Sequence, residues 1–84
     1  MTKRQKRLEA IRNNPRNVRF DDLVALLLSV GFACVRQSGS HAIYQHPSFP
    51  TDLVNLQASS DGKAKAYQVE QVLTVIDKWN LEVL

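Results

Sequence analysis

Two histidines, His41 and His46, are the residues of this chain best suited to moving a proton near neutral pH. Neither has the company that a metal centre needs. His, Cys, Asp and Glu nowhere gather at ligand spacing, so neither a metal nor another cofactor is expected. A glycine-rich phosphate loop is also excluded, because the three glycines are scattered along the chain. Asp21-Asp22 stands at the head of an apolar-periodic stretch, where capping explains a carboxylate better than acid catalysis does. What remains is a histidine acting as acid or base, or a role in binding alone. His41 follows Ser38-Gly39-Ser40 directly and shares a strand face with Ile43 and Gln45. His46 lies five positions further along the same extended run, which places it ~16 Å away on the opposite face. The two are therefore not expected to serve one substrate together, and His46, next to Pro47, reads as a strand-end residue.

The elements that must hold these histidines are legible in the apolar spacing. Lys3 to Asn13 can form a short helix, with Leu8 and Ile11 as its only apolar contacts, and Pro15 prevents its continuation. Asn13-Asn14-Pro15-Arg16-Asn17 is a turn or linker. A stronger helix follows, capped by Asp21, with Phe20, Leu23, Val24, Leu27 and Val30 on one face. Leu26 and Leu28 widen that face, and Gly31 stands where a left-handed C-terminal residue is needed. From Phe32 the pattern turns to strand: Phe32 to Gln37, a turn at Ser38-Gly39, and Ser40 back to His46. Pro47 ends that strand, residues 48–52 form a loop, and Leu53 to Gln57 make a short third strand. A small polar turn over Ala58 to Gly62 leads to a last helix from about Tyr67. Val69, Val72, Leu73 and Ile76 line its apolar face, with Trp79 beside it, and Glu70 and Lys78 suit its dipole.

The fold class expected is therefore α+β: α-β-β-β-α with a three-stranded antiparallel meander and both long helices on one face, preceded by a short basic helix. We expect a single domain over residues 1–84, of which 1–19 are a basic extension and 20–84 the body. Net charge is +3, and Lys3, Arg4, Lys6, Arg7, Arg12, Arg16 and Arg19 face only Glu9 before Phe20. Such asymmetry points to a polyanion, most commonly nucleic acid. The lone cysteine, Cys34, is read as a small buried hydrophobe in a reducing compartment. The basic start has no apolar run behind it, so it is not read as a signal peptide, and no apolar stretch is long enough to span a bilayer. A soluble cytoplasmic protein without membrane contact is the expectation.

Three ordered segments carry a family resemblance. Gln37-Ser38-Gly39-Ser40-His41-Ala42-Ile43-Tyr44-Gln45-His46-Pro47 resembles the Gly-Ser-His hairpin of the HicA toxins. Phe20-Asp21-Asp22-Leu23-Val24 with Leu26-Leu27 and Gly31-Phe32 is similar to that family's first helix and its entry to the sheet. Gly62-Lys63-Ala64-Lys65-Ala66-Tyr67-Gln68-Val69 resembles the loop and helix start of its longer members. The likeness runs from about Phe20 to Trp79. It implies a fold like a double-stranded-RNA-binding domain, endoribonuclease (mRNA interferase) activity, and a HicB-like antitoxin that covers the active surface. It also implies that His41 is the catalytic residue. Compact members often carry Pro-His in the third strand, where this chain has Val54-Asn55-Leu56-Gln57, and the basic N-terminal extension is a second departure.

Under that resemblance the substrate is RNA, in particular mRNA, and the candidate RNA-binding residues are Gly39, Ser40, Lys63, Lys65 and Arg36. Gly39 makes the turn and lets a phosphate approach the backbone. Ser40 can hydrogen-bond a phosphate or orient His41. Lys63 and Lys65 lie before the last helix, whose first amides can also bind phosphate, and Arg36 stands beside the hairpin. Two other readings stay open at this point: a non-catalytic RNA- or DNA-binding module on the same scaffold, and a protein-interaction domain. The sequence does not set the oligomeric state.

Overall fold

A computed structural model describes residues 2–83. It contains α1 (Lys3–Asn13), α2 (Phe20–Ser29), β1 (Ala33–Ser38), β2 (His41–His46), β3 (Phe49–Gln57) and α3 (Ala66–Lys78). The strands form one antiparallel sheet in the order β1-β2-β3, the expected meander.

Strand alternation sorts the side chains into two sets. Ala42, Tyr44, Val54 and Leu56 point into the core. There they meet Leu23, Leu26 and Leu27 of α2 and Val69, Val72, Val75 and Ile76 of α3. Each fully buried Leu or Ile contributes ~1.5–3 kcal/mol, so these few side chains hold α2 and α3 to one sheet face. Truncating Leu56 or Leu26 to Ala would remove ~2–5 kcal/mol. His41, Ile43, Asn55 and Gln57 belong to the other, uncovered face. α3 lies along β3, α2 against α3, and α1 against α2. β1 extends beyond this cover and is exposed along its length. Cys34 is accordingly exposed rather than buried, because it lies on the edge strand, which the core leaves exposed along its length.

The helix ends explain where each element stops. Thr2 and Gln5 form a reciprocal capping box at the start of α1. Helices α2 and α3 both close with paired backbone bonds around a left-handed residue. After α2, Gly31 (φ +107) lets its N–H bond Leu28 O and that of Phe32 bond Leu27 O. After α3, Asn80 (φ 50) does the same with Asp77 and Leu81 with Ile76. Asp21 does not cap α2. The helix begins two residues earlier than that cap implies, with Arg19 at the cap and no side-chain bond, so Asp21 and Asp22 act on the dipole from within the first turn. Backbone pairing replaces the cap: Phe20 N–H donates to Gly62 O at 3.0 Å and Ala64 N–H to Val18 O at 2.8 Å.

Two boundaries in the sheet differ from the expectation. The first hairpin turns at Gly39-Ser40, one residue later than Ser38-Gly39, with Ser38 paired to His41. Glycine at the first central position with φ +59 is what a two-residue hairpin loop of this kind requires. The second hairpin also turns on two residues, Pro47-Ser48, and β3 starts at Phe49 instead of Leu53. Between the Tyr44–Val54 and His46–Phe49 pairs, only Gln45 faces Pro50 to Leu53. This irregular bulge accommodates a proline, which β3 tolerates as an edge strand. Gln45 Nε2 ties the excursion down by donating to Pro50 O at 3.0 Å.

Candidate active site

His41 is the first residue of β2, exposed on the open face directly after the Gly39-Ser40 turn. The register places its neighbours. Ser38 pairs with it from β1 and Gln57 from β3. Arg36 pairs with Ile43 and is thus its diagonal neighbour on the same face, a relation that spans ~7–8 Å in antiparallel sheets. That placement follows from the Ser38–His41 pair at the turn by simple alternation, and a bulge at Val35 then puts Cys34, paired with Tyr44, on the opposite face from Arg36.

Side-chain bonds brace this end of the sheet. Gln57 Nε2 donates to Ser40 Oγ at 3.2 Å, joining the end of β3 to the turn. Gln57 N–H donates to Oε1 of buried Gln68 at 3.2 Å, joining β3 to the first turn of α3. Gln68 Nε2 in turn reaches Tyr67 Oη at 3.4 Å. Across the β3 edge these elements enclose a cleft of about 210 Å³ lined by His41, Asn55, Gln57, Tyr67, Gln68 and Gln71. Of these only His41 stands out in the sequence. Alternation with buried Val54 and Leu56 places Asn55 and Gln57 on the open face, and Tyr67 and Gln71 are i, i+4 neighbours. Their meeting across the sheet edge has no signature in the linear pattern.

The other candidates are distributed differently. Gly39 has nothing within 4 Å of an added Cβ, so the backbone of the turn is open to solvent. Lys63 and Lys65 do not line the cleft. Lys63 sits in a tight loop, where its N–H donates to Asp61 Oδ1 at 3.0 Å and its carbonyl accepts from Ser59 Oγ. The bond from Lys63 N–H holds the Asp61 carboxyl below its ordinary range. Lys63 also bridges to Arg19 across the chain, so it joins the basic N-terminal region. Lys65 is the N-cap of α3, two residues before Tyr67. A separate groove of about 360 Å³ between α1 and the start of α2 is lined by Lys3, Lys6, Arg7 and Arg19, with Asp22 at its wall.

His46 belongs to the packing. Its ring stacks on Phe49 at 4.1 Å, meets the edge of Phe32 at 5.3 Å, and accepts the Ser48 N–H on Nδ1 at 3.0 Å. Phe49 stacks in turn on Trp79 at 4.5 Å, whose Nε1 donates to Asp52 Oδ2 at 2.6 Å. That bond, helped by Lys78, lowers the Asp52 carboxyl below its usual range. Among the described residues no group of three or more His, Cys, Asp or Glu could hold a metal ion, and no helix is long and apolar enough to cross a membrane.

A three-stranded sheet backed by two helices, with a histidine heading the middle strand on the bare face, defines a small α+β domain with a one-sided site. The sequence comparison gives that class its family. Residues 20–76 match the family described as HicA toxin of bacterial toxin–antitoxin systems, and the chain belongs to it. The match covers α2, the whole sheet and α3 as far as Ile76, and leaves α1 outside. No curated protein and no solved structure matches the chain.

Proposed function

We propose that this protein is the ribonuclease of its toxin–antitoxin pair, and that His41 moves a proton in metal-free cleavage of single-stranded mRNA in the cytoplasm. The observation that carries the proposal is the position of His41. It is exposed at the head of β2, on the uncovered sheet face, inside the family-matched segment.

In the reaction, the ribose 2′-oxygen attacks the adjacent phosphorus while a base takes its proton. The P–O5′ bond breaks and an acid protonates the departing 5′-oxygen, leaving a 2′,3′-cyclic phosphate and a 5′-hydroxyl. His41 supplies one of these transfers, worth ~10²–10⁴-fold, and water or a second group supplies the other. His46 is not that group, since it is stacked against Phe49 at the far end of the strand. Arg36, on the same face, can offset charge on the phosphorane. Gly39 and Ser40 present the turn to a phosphate, and Lys63 and Lys65 draw the backbone towards α3.

A HicB-like antitoxin is the proposed partner, and it silences the enzyme by covering this face. A standard interface takes roughly 800 Å² from each side, against a total surface of 5388 Å² here. Overlap with the active face is hard to avoid on so small a molecule. The decisive experiment is digestion of single-stranded RNA in EDTA by the wild type and by His41→Ala, with analysis of the product ends. Cleavage to cyclic phosphate that depends on His41 supports the enzyme. Tight RNA binding without cleavage would make the protein a binding module.

A further inference from the structure

We propose that the cleft beside His41 is a nucleobase pocket, in which Tyr67 stacks on one unpaired base of the bound RNA while Asn55 and Gln71 read its edge. The inference rests on the ribonuclease reading for the phosphate that lies next to that base.

The chemistry of the lining carries it. Four amides, one phenol and the imidazole of His41 face the cleft, with no carboxylate, lysine or arginine among them. A phosphate placed there would lack cationic partners, and a divalent cation would lack any carboxylate to offset its charge. An apolar guest would leave the amides unpaired at ~1–3 kcal/mol for each buried group. A nucleobase matches the lining on both counts, because it has a flat π face and an edge of neutral donors and acceptors. Amide side chains can address such an edge through two hydrogen bonds at once. The volume of about 210 Å³ falls below the ~300–1,000 Å³ of sites for drug-sized ligands, and suits a single heterocycle.

The amides also divide by task. Gln57 and Gln68 are committed to the brace that runs from Ser40 through β3 to Tyr67. Asn55 and Gln71 are exposed and make no side-chain hydrogen bond among the described residues, so their donors and acceptors remain for a guest. Tyr67 is 63% exposed although it stands on the first turn of a well-packed helix. Aromatic side chains presented in this way are the usual platform for unstacked RNA bases. The third strand supplies two of the lining residues, Asn55 and Gln57.

The test uses a short single-stranded RNA carrying 2′-fluoro at every ribose, which removes the internal nucleophile so that binding is seen without cleavage. Each base in turn is replaced by 2-aminopurine, whose fluorescence is quenched on stacking. One position should be quenched by the wild type and by Tyr67→Phe. The same position should stay bright with Tyr67→Ala, whose affinity should fall on the order of ten-fold. An abasic sugar at that position should weaken the wild type by a similar factor and leave Tyr67→Ala unchanged. Asn55→Ala should alter which base is preferred there. Losses from Tyr67→Ala and the abasic site that add in full, or quenching indifferent to Tyr67, would overturn the pocket. Cleavage of ordinary RNA is scored separately. His41-dependent cutting without Tyr67-dependent quenching removes the pocket and keeps the ribonuclease, and the converse result does the opposite.

Discussion

The two ends of β2 put the same side chain to opposite uses. At its head, His41 is exposed on the bare sheet face, beside an open turn and a cleft of neutral polar groups. At its foot, His46 is held between Phe32 and Phe49, with Nδ1 occupied by a backbone N–H. Each end also has a glycine with positive φ. Gly39 faces open space, whereas a Cβ on Gly31 would come within 2.7 Å of His46 Nε2. Residue type assigns the capacity for proton transfer, and packing decides whether that capacity is available to a substrate or committed to the fold.

Exchanging the roles is the strongest way to break this contrast. His41→Ala should lower RNA cleavage by ~10²–10⁴-fold while stability stays within ~0.5 kcal/mol, as for exposed sites generally. His46→Ala should do the reverse, removing ~1–3 kcal/mol and leaving the rate per folded molecule within a few-fold. Denaturant melts and single-turnover cleavage on both variants decide the matter. A His46 variant that is stable but inactive would return His46 to the chemistry.

The glycines give the next largest effect. Gly31→Ala combines left-handed strain with the His46 contact, and should destabilise by at least ~1–3 kcal/mol. Gly39→Ala meets only the backbone penalty of ~1–2 kcal/mol, so it should be the milder change in thermal melts. Equal losses would mean that the His46 ring yields freely, and that the foot of β2 is looser than its stacking indicates.

Charge sharpens the comparison further. Neutralising Lys63 and Lys65, which lead to Tyr67, should weaken RNA binding more than neutralising Lys3 and Lys6 in the α1 groove. The slope of log affinity against log salt should become shallower by ~0.7 for each single-strand phosphate that is no longer neutralised. Equal effects from the two pairs would indicate a diffuse basic surface instead of a track near His41.

The smallest effect tests whether α1 matters to either end. Arg12 holds Asp77 of α3 through bonds of 2.7 and 3.2 Å, which keeps the Asp77 carboxyl below its ordinary value. A carboxylate lowered on folding adds stability above its unfolded pKa of ~3.9, and that stability is lost as pH falls through the folded value. The pair is largely exposed, so Asp77→Asn should reduce stability at pH 7 by under ~1 kcal/mol. The difference from wild type should vanish in acid melts, with cleavage unchanged throughout. A large loss would mean that α1 is integral to the body that the family match outlines.

Much of this architecture follows from local pattern alone. Spacing of Leu23, Leu27 and Val30, alternation about Ala42 and Tyr44, and the breakers Gly31, Pro47 and Gly39 are enough for the order of elements and for the face on which His41 stands. Those features are set by neighbours a few residues away, which the linear pattern records. Tertiary packing decided the rest. Only the sheet's outer edge exposes Cys34, only the bulge at Val35 sets Cys34 and Arg36 on opposite faces, and only the docking of α3 beside β3 brings Tyr67 and Gln71 to the cleft with Asn55. Lys63 was drawn instead towards Arg19, by backbone bonds between segments more than forty positions apart. Such outcomes depend on which surfaces remain uncovered once the core has formed, and that choice belongs to the whole chain.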